Sequence, residues 1–252
     1  MFHNVKSRKT GAVQSAPVIA ILFILILALS ACNGQASDDP VSAGTPHPLP
    51  ESPHLTYALP SPDTDGGISV EEALSNRRSR RDFQDEALTP AQVSQVLWAA
   101  YGITSDGGLR TAPSAGALYP LEVYIIVGNV EGMEPGAYRY IPDEHKIEMV
   151  VEGDIREPLS EAALGQGMIR EAPASVFYSA VFERTTGRYG QRGANYVYIE
   201  TGHSAQNVYL QAESLGLGAC AVGALTDGRI RELLCLPDEE EPLYLVPFGY
   251  VK

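Results

Sequence analysis

One run, about Ala194 to Leu215, limits most strongly what this chain can fold into. Ala194, Val197, Tyr198, Thr201, Ala205, Val208, Ala212 and Leu215 recur at the three- and four-residue spacing of one helix face. Glu200, His203, Asn207, Leu210 and Ser214 make a second line on a different face. A helix of that length rises about 33 Å. With apolar groups on more than one side, it needs a central or interface position rather than a one-faced seat on the surface. Glu200 and His203, at i and i+3, would open a carboxylate-bridged metal site only with a second Glu-x-x-His on a facing helix. No other helical pattern in the chain carries one, so a satisfied buried polar cluster is expected and no metal.

The rest of the core is a matter of strands. Leu121-Glu122-Val123-Tyr124-Ile125-Ile126-Val127 is short, β-branched and aromatic, and reads as a mostly buried strand ending at Gly128. It is fed by Ala112-Pro113-Ser114-Ala115-Gly116-Ala117-Leu118-Tyr119-Pro120, a loop of small residues held by a proline at each end. Ala115 and Gly116 would let backbone approach a flat ligand closely, and Ser114 adds a hydroxyl. An ordinary loop before a core strand explains the same residues. Gly136–Tyr140 and Lys146–Val151 form a hairpin about Pro142-Asp143-Glu144, Ala174–Phe182 is a strand, Gly218–Ala224 a strand of small residues, and Leu243–Tyr250 a closing strand.

Helices are marked by their caps. Ser69 with Glu72, and Thr89-Pro90 with Gln92, are capping boxes. The second helix carries the stripe Val93, Val96, Leu97, Ala100 and stops at Gly102. Asp154–Leu164 and Asp227–Leu234 are further helices. Glu183–Gly193, holding Arg184, Arg188, Tyr189 and Arg192, is polar and reads as a mobile or substrate-side segment. Cys220 and Cys235 lie in apolar runs and are expected to be buried thiols.

The N-terminus carries an address. Lys6, Arg8 and Lys9 precede an unbroken apolar run, Val18–Leu29, shorter than the ~20 residues of a membrane span. It ends in Leu29-Ser30-Ala31-Cys32, which resembles a bacterial lipobox. Residues 1–31 are therefore expected to be a lipoprotein signal peptide, with Cys32 the acylated residue and the protein lipid-anchored on the extracytoplasmic face of the cell membrane. A plain N-terminal anchor helix is the other reading. Residues 32–67, with seven prolines from Pro40 to Pro62, form a tether, and the folded domain is expected over 68–252. Without Lys6, Arg8 and Lys9 the chain's 18 cations fall to 15 against 31 acids, a net −16. Such a body is repelled by anionic lipid and by nucleic acid, so lipid chains rather than surface charge would hold it, and no nucleic-acid partner is expected.

Against that charge, Arg77-Arg78-Ser79-Arg80-Arg81 stands out. Four guanidiniums this close repel, so an anion should offset them. A phosphate fits their paired N–H groups, and ion pairs with Glu71, Glu72, Asp82 and Asp85 are the alternative.

Arg77-Arg78-Ser79-x-Arg81-x-Phe83, Pro113–Pro120, Glu200-x-Gly202-His203-x-Ala205-Gln206-Asn207, Gly216-Leu217-Gly218 and Pro247-x-Gly249 occur in that order. The ordered set resembles the nitroreductase-like flavoproteins, most closely the SagB-type dehydrogenase branch, over Ile68 to Tyr250. The resemblance implies an α+β fold, with a central mixed sheet flanked by helices and two subunits interlocked as a homodimer through the long helix. It implies FMN at the interface, with Arg77, Arg78, Ser79 and Arg81 on its phosphate and ribityl chain, Ser114, Ala115 and Gly116 along the ring, and Val222, Gly223 and Ala224 facing its reactive side. Many relatives continue past the final Gly-Tyr with a basic segment reaching the phosphate, and Lys252 is the candidate for that contact. Tyr119, Arg188, Tyr189 and Arg192 are candidates for the pocket of a small-molecule substrate. The implied activity is ping-pong hydride transfer between an organic substrate and an acceptor. Alternatives are an NAD(P)H-dependent nitro or quinone reductase, and a lipid-anchored flavin or small-molecule binding protein without chemistry.

Overall fold

The computed structural model describes residues 55–252. The signal peptide expected over 1–31, the expected lipidation residue Cys32 and the expected tether up to residue 54 lie outside that range.

Seven strands form one sheet: β1 (Thr56–Ala58), β2 (Leu121–Val127), β3 (Gly136–Ile141), β4 (Lys146–Glu152), β5 (Ala174–Ala180), β6 (Gly218–Ala219) and β7 (Glu241–Gly249), in the order β1-β4-β3-β2-β5-β7-β6. The central strands β2 and β5 are buried along their whole length, as their continuous apolar runs require. Successive side chains of β2 go to opposite faces. Val123, Ile125 and Val127 join a core with Val93, Val96, Leu97, Val197 and Val208, from helices α2 (Pro90–Tyr101) and α6 (Arg192–Ser214). Tyr124 and Ile126 join a second core with Leu159, Ile169 and Ile230, from α3 (Arg156–Ala162), α4 (Met168–Glu171) and α7 (Asp227–Leu233). The sheet is therefore a middle layer between two helical layers. Helix α1 (Val70–Asn76) precedes α2, and α5 (Glu183–Tyr189) precedes α6.

The caps form as expected. The Ser69 hydroxyl accepts from the Glu72 amide, and at Thr89 both arms of the box with Gln92 are made. Helix α6 ends at Gly216 (φ +71°), where the Leu217 amide donates to the Ala212 carbonyl and the Gly216 amide to that of Glu213. A residue with a side chain would be strained in that left-handed closure.

Five expectations change. The sheet is not mixed. Among the described residues all six strand pairings are antiparallel, and parallel neighbours occur there only as the single bridges Ser79–Ala219 and Leu88–Val130. The tether does not run to residue 67 as a spacer. Thr56–Ala58 pairs with β4, Tyr57 packs on Tyr138 with ring centroids 5.8 Å apart, and Leu59 is buried. A three-residue edge strand is held by backbone bonds and needs no apolar alternation. Of the strand expected over Gly218–Ala224 only Gly218–Ala219 is regular; beyond it Cys220 and Val222 still bond β7, through the Pro247 and Leu245 carbonyls, while the Ala221 amide on the outer edge donates to the Tyr209 hydroxyl. Glu183–Tyr189, in the segment expected to be mobile or substrate-side, is a helix that packs on α6. Cys220 is buried, but Cys235 is exposed, at a positive-φ turn (φ +50°) just after α7.

Candidate functional site

The arginine run leaves the end of α1 and lies beside β6. Ser79 bridges Ala219, and the Arg80 amide donates to the Ala219 carbonyl at 2.9 Å. Gly218 permits this approach, since a Cβ there would sit 2.7 Å from the Arg80 Cβ. Tyr209, from α6, ties the junction together. Its hydroxyl accepts from the Ala221 amide at 2.6 Å and shares a hydrogen bond with Ser79 Oγ at 3.3 Å, while the Arg77 guanidinium lies 5.5 Å over its ring.

The guanidiniums differ in what they do. Arg78 folds back and donates to the carbonyls of Ser75 and Arg77, closing α1. The side chains of Arg77 and Arg81 donate to no described residue. None of Arg77, Arg78, Arg80 and Arg81 forms an ion pair within the described residues, so the pairs with Glu71, Glu72, Asp82 and Asp85 are not made there. Lys252 reaches this segment through its backbone, its amide donating to the Asp82 carbonyl at 3.1 Å, but not through its charge. Its ammonium pairs with Glu171 at 3.1 Å.

Ser114 starts a short 3₁₀ turn, Ala115–Ala117, and its Oγ accepts from the Tyr119 amide at 2.9 Å. The loop is strained: Ala117 and Tyr119 have φ of +52° and +47°, conformations that cost roughly 1 kcal/mol or more each outside glycine. Gly116 (φ +65°) is covered by α5, and a Cβ there would meet Tyr189 Oη at 2.8 Å and Arg188 Nη1 at 3.0 Å. Behind the loop, Tyr101 Oη donates to the buried Glu200 carboxylate at 2.5 Å. Burial raises the Glu200 pKa above the usual carboxylate value, and hydrogen bonding from Ser114 and Tyr101 with the charges of Arg110 and His203 offset only part of this. His203 is exposed, and among the described residues no three His, Cys, Asp or Glu side chains gather as metal ligands.

The expected site residues thus fall into two groups on one helix. Arg77 and Ser79 meet the segment entering Val222, Gly223 and Ala224 at Tyr209. Val222 is buried and bridges Leu245, whereas Gly223 and Ala224 are exposed. Ser114, Ala115 and Gly116 meet Arg188 and Tyr189 close to Glu200, with Tyr119 at the end of the same loop. From Glu200 to Tyr209 the helix rises about 14 Å. Arg78 and Arg81 flank the first group, and Arg192 is exposed at the start of α6. Sequence reasoning missed Tyr209 and Arg110. The signal for Tyr209 was its place on α6 beside the second polar line. For Arg110 it was a cation between two tyrosines, Tyr101 and Tyr119. A turn whose guanidiniums have no ion pair among the described residues, and a strained backbone loop beside a buried carboxyl, lie along one helix face.

A family model described as the nitroreductase family matches residues 74–250. A protein of Methanocaldococcus jannaschii named as a nitroreductase is 46% identical over 194 residues, 77% of this chain and 96% of its own length. The microcin B17-processing protein McbC of Escherichia coli is 28% identical over 166 residues, 63% of this chain and 61% of McbC. Among solved structures, a protein from Ralstonia eutropha titled as a nitroreductase superposes with a TM-score of 0.70 at 30% identity, over 85% of this chain and 98% of that one. One from Anabaena variabilis, similarly titled, gives 0.71 at 27% identity, and this chain spans only 42% of its length.

Proposed function

Since the chain belongs to the nitroreductase family, we propose that it is an FMN-dependent oxidoreductase, with FMN spanning the two residue groups across a homodimer. The observation that carries this reading is that the guanidiniums of Arg77 and Arg81 have no hydrogen-bond acceptor and no ion pair among the described residues, in a chain of net charge −13. Arginine N–H groups left without protein acceptors at a turn braced by Tyr209 suit a phosphate. Ser114, Ala115 and Gly116 offer hydroxyl and backbone to the ring, and Gly223 and Ala224 leave space because they have little side chain. Bound FMN supplies two-electron hydride chemistry in alternating halves, a ping-pong order. The protein's part is to hold the phosphate at Arg77 and Arg81, orient the ring at Ser114–Gly116 and close the substrate side with Tyr119, Arg188 and Tyr189. The dimer would form along α6, where Tyr198 and Ile199 are more than half exposed.

Purified full-length protein should carry FMN, visible as flavin absorbance. The double variant Arg77→Ala, Arg81→Ala should lose most of it, each charge-assisted contact being worth ~1.5–3 kcal/mol. Unchanged flavin content in the variant refutes the phosphate assignment.

Likeness to McbC and to the trifolitoxin-processing protein TfxB (27% identical over 132 residues) supports the SagB-type reading, with an organic substrate as hydride donor and oxygen or a membrane quinone as acceptor. An FMN reductase (NADPH) of Bacillus subtilis, 22% identical over 186 residues, supports the second reading, a nucleotide-driven reductase. Stopped-flow mixing with NADH and NADPH separates them. Flavin reduction at ~10 s⁻¹ at sub-millimolar nucleotide is the speed of ordinary turnover and selects the second.

A further inference from the structure

Beyond both groups lies a cavity of about 240 Å3 where β2 and β3 part. Their pairing ends at Tyr124–Arg139, and Leu121–Val123 runs on without β3 beside it. The wedge is walled by Tyr101, Arg110, Glu122, Arg139 and Arg184, with Asp143 at the hairpin end. Its size is below the roughly 300–1,000 Å3 of pockets for drug-sized ligands, and suits a smaller molecule.

Its donors are unequally satisfied. Glu122 accepts from Arg139 and from Arg184, each at 2.6 Å, and Arg184 also donates to the Tyr119 carbonyl. Arg110 has no such partner. Its guanidinium lies 4.2 Å from the Tyr101 ring centroid and 4.7 Å from that of Tyr119, and it donates to no described residue. Arg110 Nε and Arg139 Nε are both buried without a hydrogen-bond partner. Buried polar groups are nearly always paired, so two guanidiniums that line one cavity and each leave a buried N–H without an acceptor mark a place short of negative charge. A guanidinium fixed over aromatic rings is already oriented to receive one.

We propose that this wedge binds the carboxylate of a small organic acid, with Arg110 as its main ligand and Arg139 completing it. The lining charges favour a monoanion. Three arginines face Glu122 and the exposed Asp143, leaving one positive charge. Glu240 sits behind Tyr124 and is satisfied by the Tyr124 and Ser179 hydroxyls, and Glu200 sits behind Tyr101. A dianionic phosphate would carry one charge too many. The site does not depend on bound flavin, since no residue assigned to FMN lines it.

The test is calorimetric titration of the full-length protein with acetate, benzoate and inorganic phosphate in a carboxylate-free buffer. Saturable millimolar binding of at least one acid, tighter than phosphate, is expected. Arg110→Gln should weaken it at least about tenfold, the value of one charge-assisted bond. Asp143→Asn, an exposed change that leaves the core untouched, should tighten it about twofold by removing a like charge at the mouth. Failure of both acids to saturate the wild-type protein overturns the proposal, as does stronger binding of phosphate than of either acid. Unchanged affinity in Arg110→Gln overturns it too. Should that variant not fold, unchanged or weaker affinity in Asp143→Asn does the same.

Discussion

Tyr209 is the side chain that joins the arginine turn, the long helix and the segment after β6, and removing its hydroxyl isolates that role. Tyr209→Phe keeps the ring, and so keeps the seat of Arg77 at 5.5 Å. What is lost is the acceptor for the Ala221 amide at 2.6 Å and the longer bond to Ser79 at 3.3 Å. A half-buried amide left without an acceptor costs about 1–2 kcal/mol, and the Ser79 bond adds about 0.5 kcal/mol. The expected destabilisation is about 1.5–2.5 kcal/mol in a urea melt of the flavin-free protein. If the loss falls wholly on the geometry of the turn, FMN affinity drops roughly 10- to 70-fold. Fluorescence titration of FMN reads that drop directly. Tyr209→Leu, which also removes the ring under Arg77, should lose about 0.5–1 kcal/mol more. A Phe variant that melts like wild type and binds FMN within twofold refutes the bracing role.

Gly116→Ala should cost about 1–2 kcal/mol in the same melt, from the left-handed backbone and from displacing Tyr189 Oη and Arg188 Nη1; no change would mean the loop is looser than its contacts imply. Glu122→Gln leaves Arg139 and Arg184 adjacent without their shared carboxylate, and because both are partly exposed the expected loss is about 2 kcal/mol rather than the full cost of a buried pair. Burial depresses the pKa of His145, whose ring bonds Ser94, Pro60 and Tyr140. Its contribution is therefore present above pH 6.5 and lost as pH falls through its lowered folded value. His145→Asn, tolerated at φ +45°, should flatten stability between pH 7.5 and 5, and parallel pH curves for the two proteins would exclude this. Cys32→Ser should abolish metabolic lipid labelling and leave the precursor uncut, and normal labelling and processing would remove the lipid anchor expected from the sequence.

What the sequence showed and what it hid divide along the range of the interactions involved. Thr89, Pro90 and Gln92 announce α2 because a cap is satisfied within four residues, and β2 is legible because burial on both faces demands an unbroken apolar run. The arginine run and the Ser114 loop also stood out, as features that local propensity does not need. Hidden features depend on distant partners. Tyr57 finds Tyr138, and Tyr209 finds Ser79 across 130 positions, contacts no local pattern encodes. The α5 segment carries its helix in polar residues and has Gly187 in the middle, so no apolar period marks it. Arg110 offered only its place between Tyr101 and Tyr119 in the sequence, since its meaning lies in the stacking on those two rings and in the acceptor it lacks.

The order of the sheet sets a reach. β1, where the described chain enters, is one margin, and β6, with the arginine turn bridged to it, is the other. Six spacings of ~4.8 Å separate those margins, roughly 29 Å along the sheet. Whatever holds the N-terminal side therefore pulls on three residue pairs at one margin, while the arginine turn is carried at the other, a sheet's width away. Strain on the entry strand would meet the β1–β4 pairing first, and then the anchors of the chain that follows on α2, the Asp63 amide on Gln95 and the Pro60 carbonyl on the Ser94 hydroxyl, before it reached α1 and the turn.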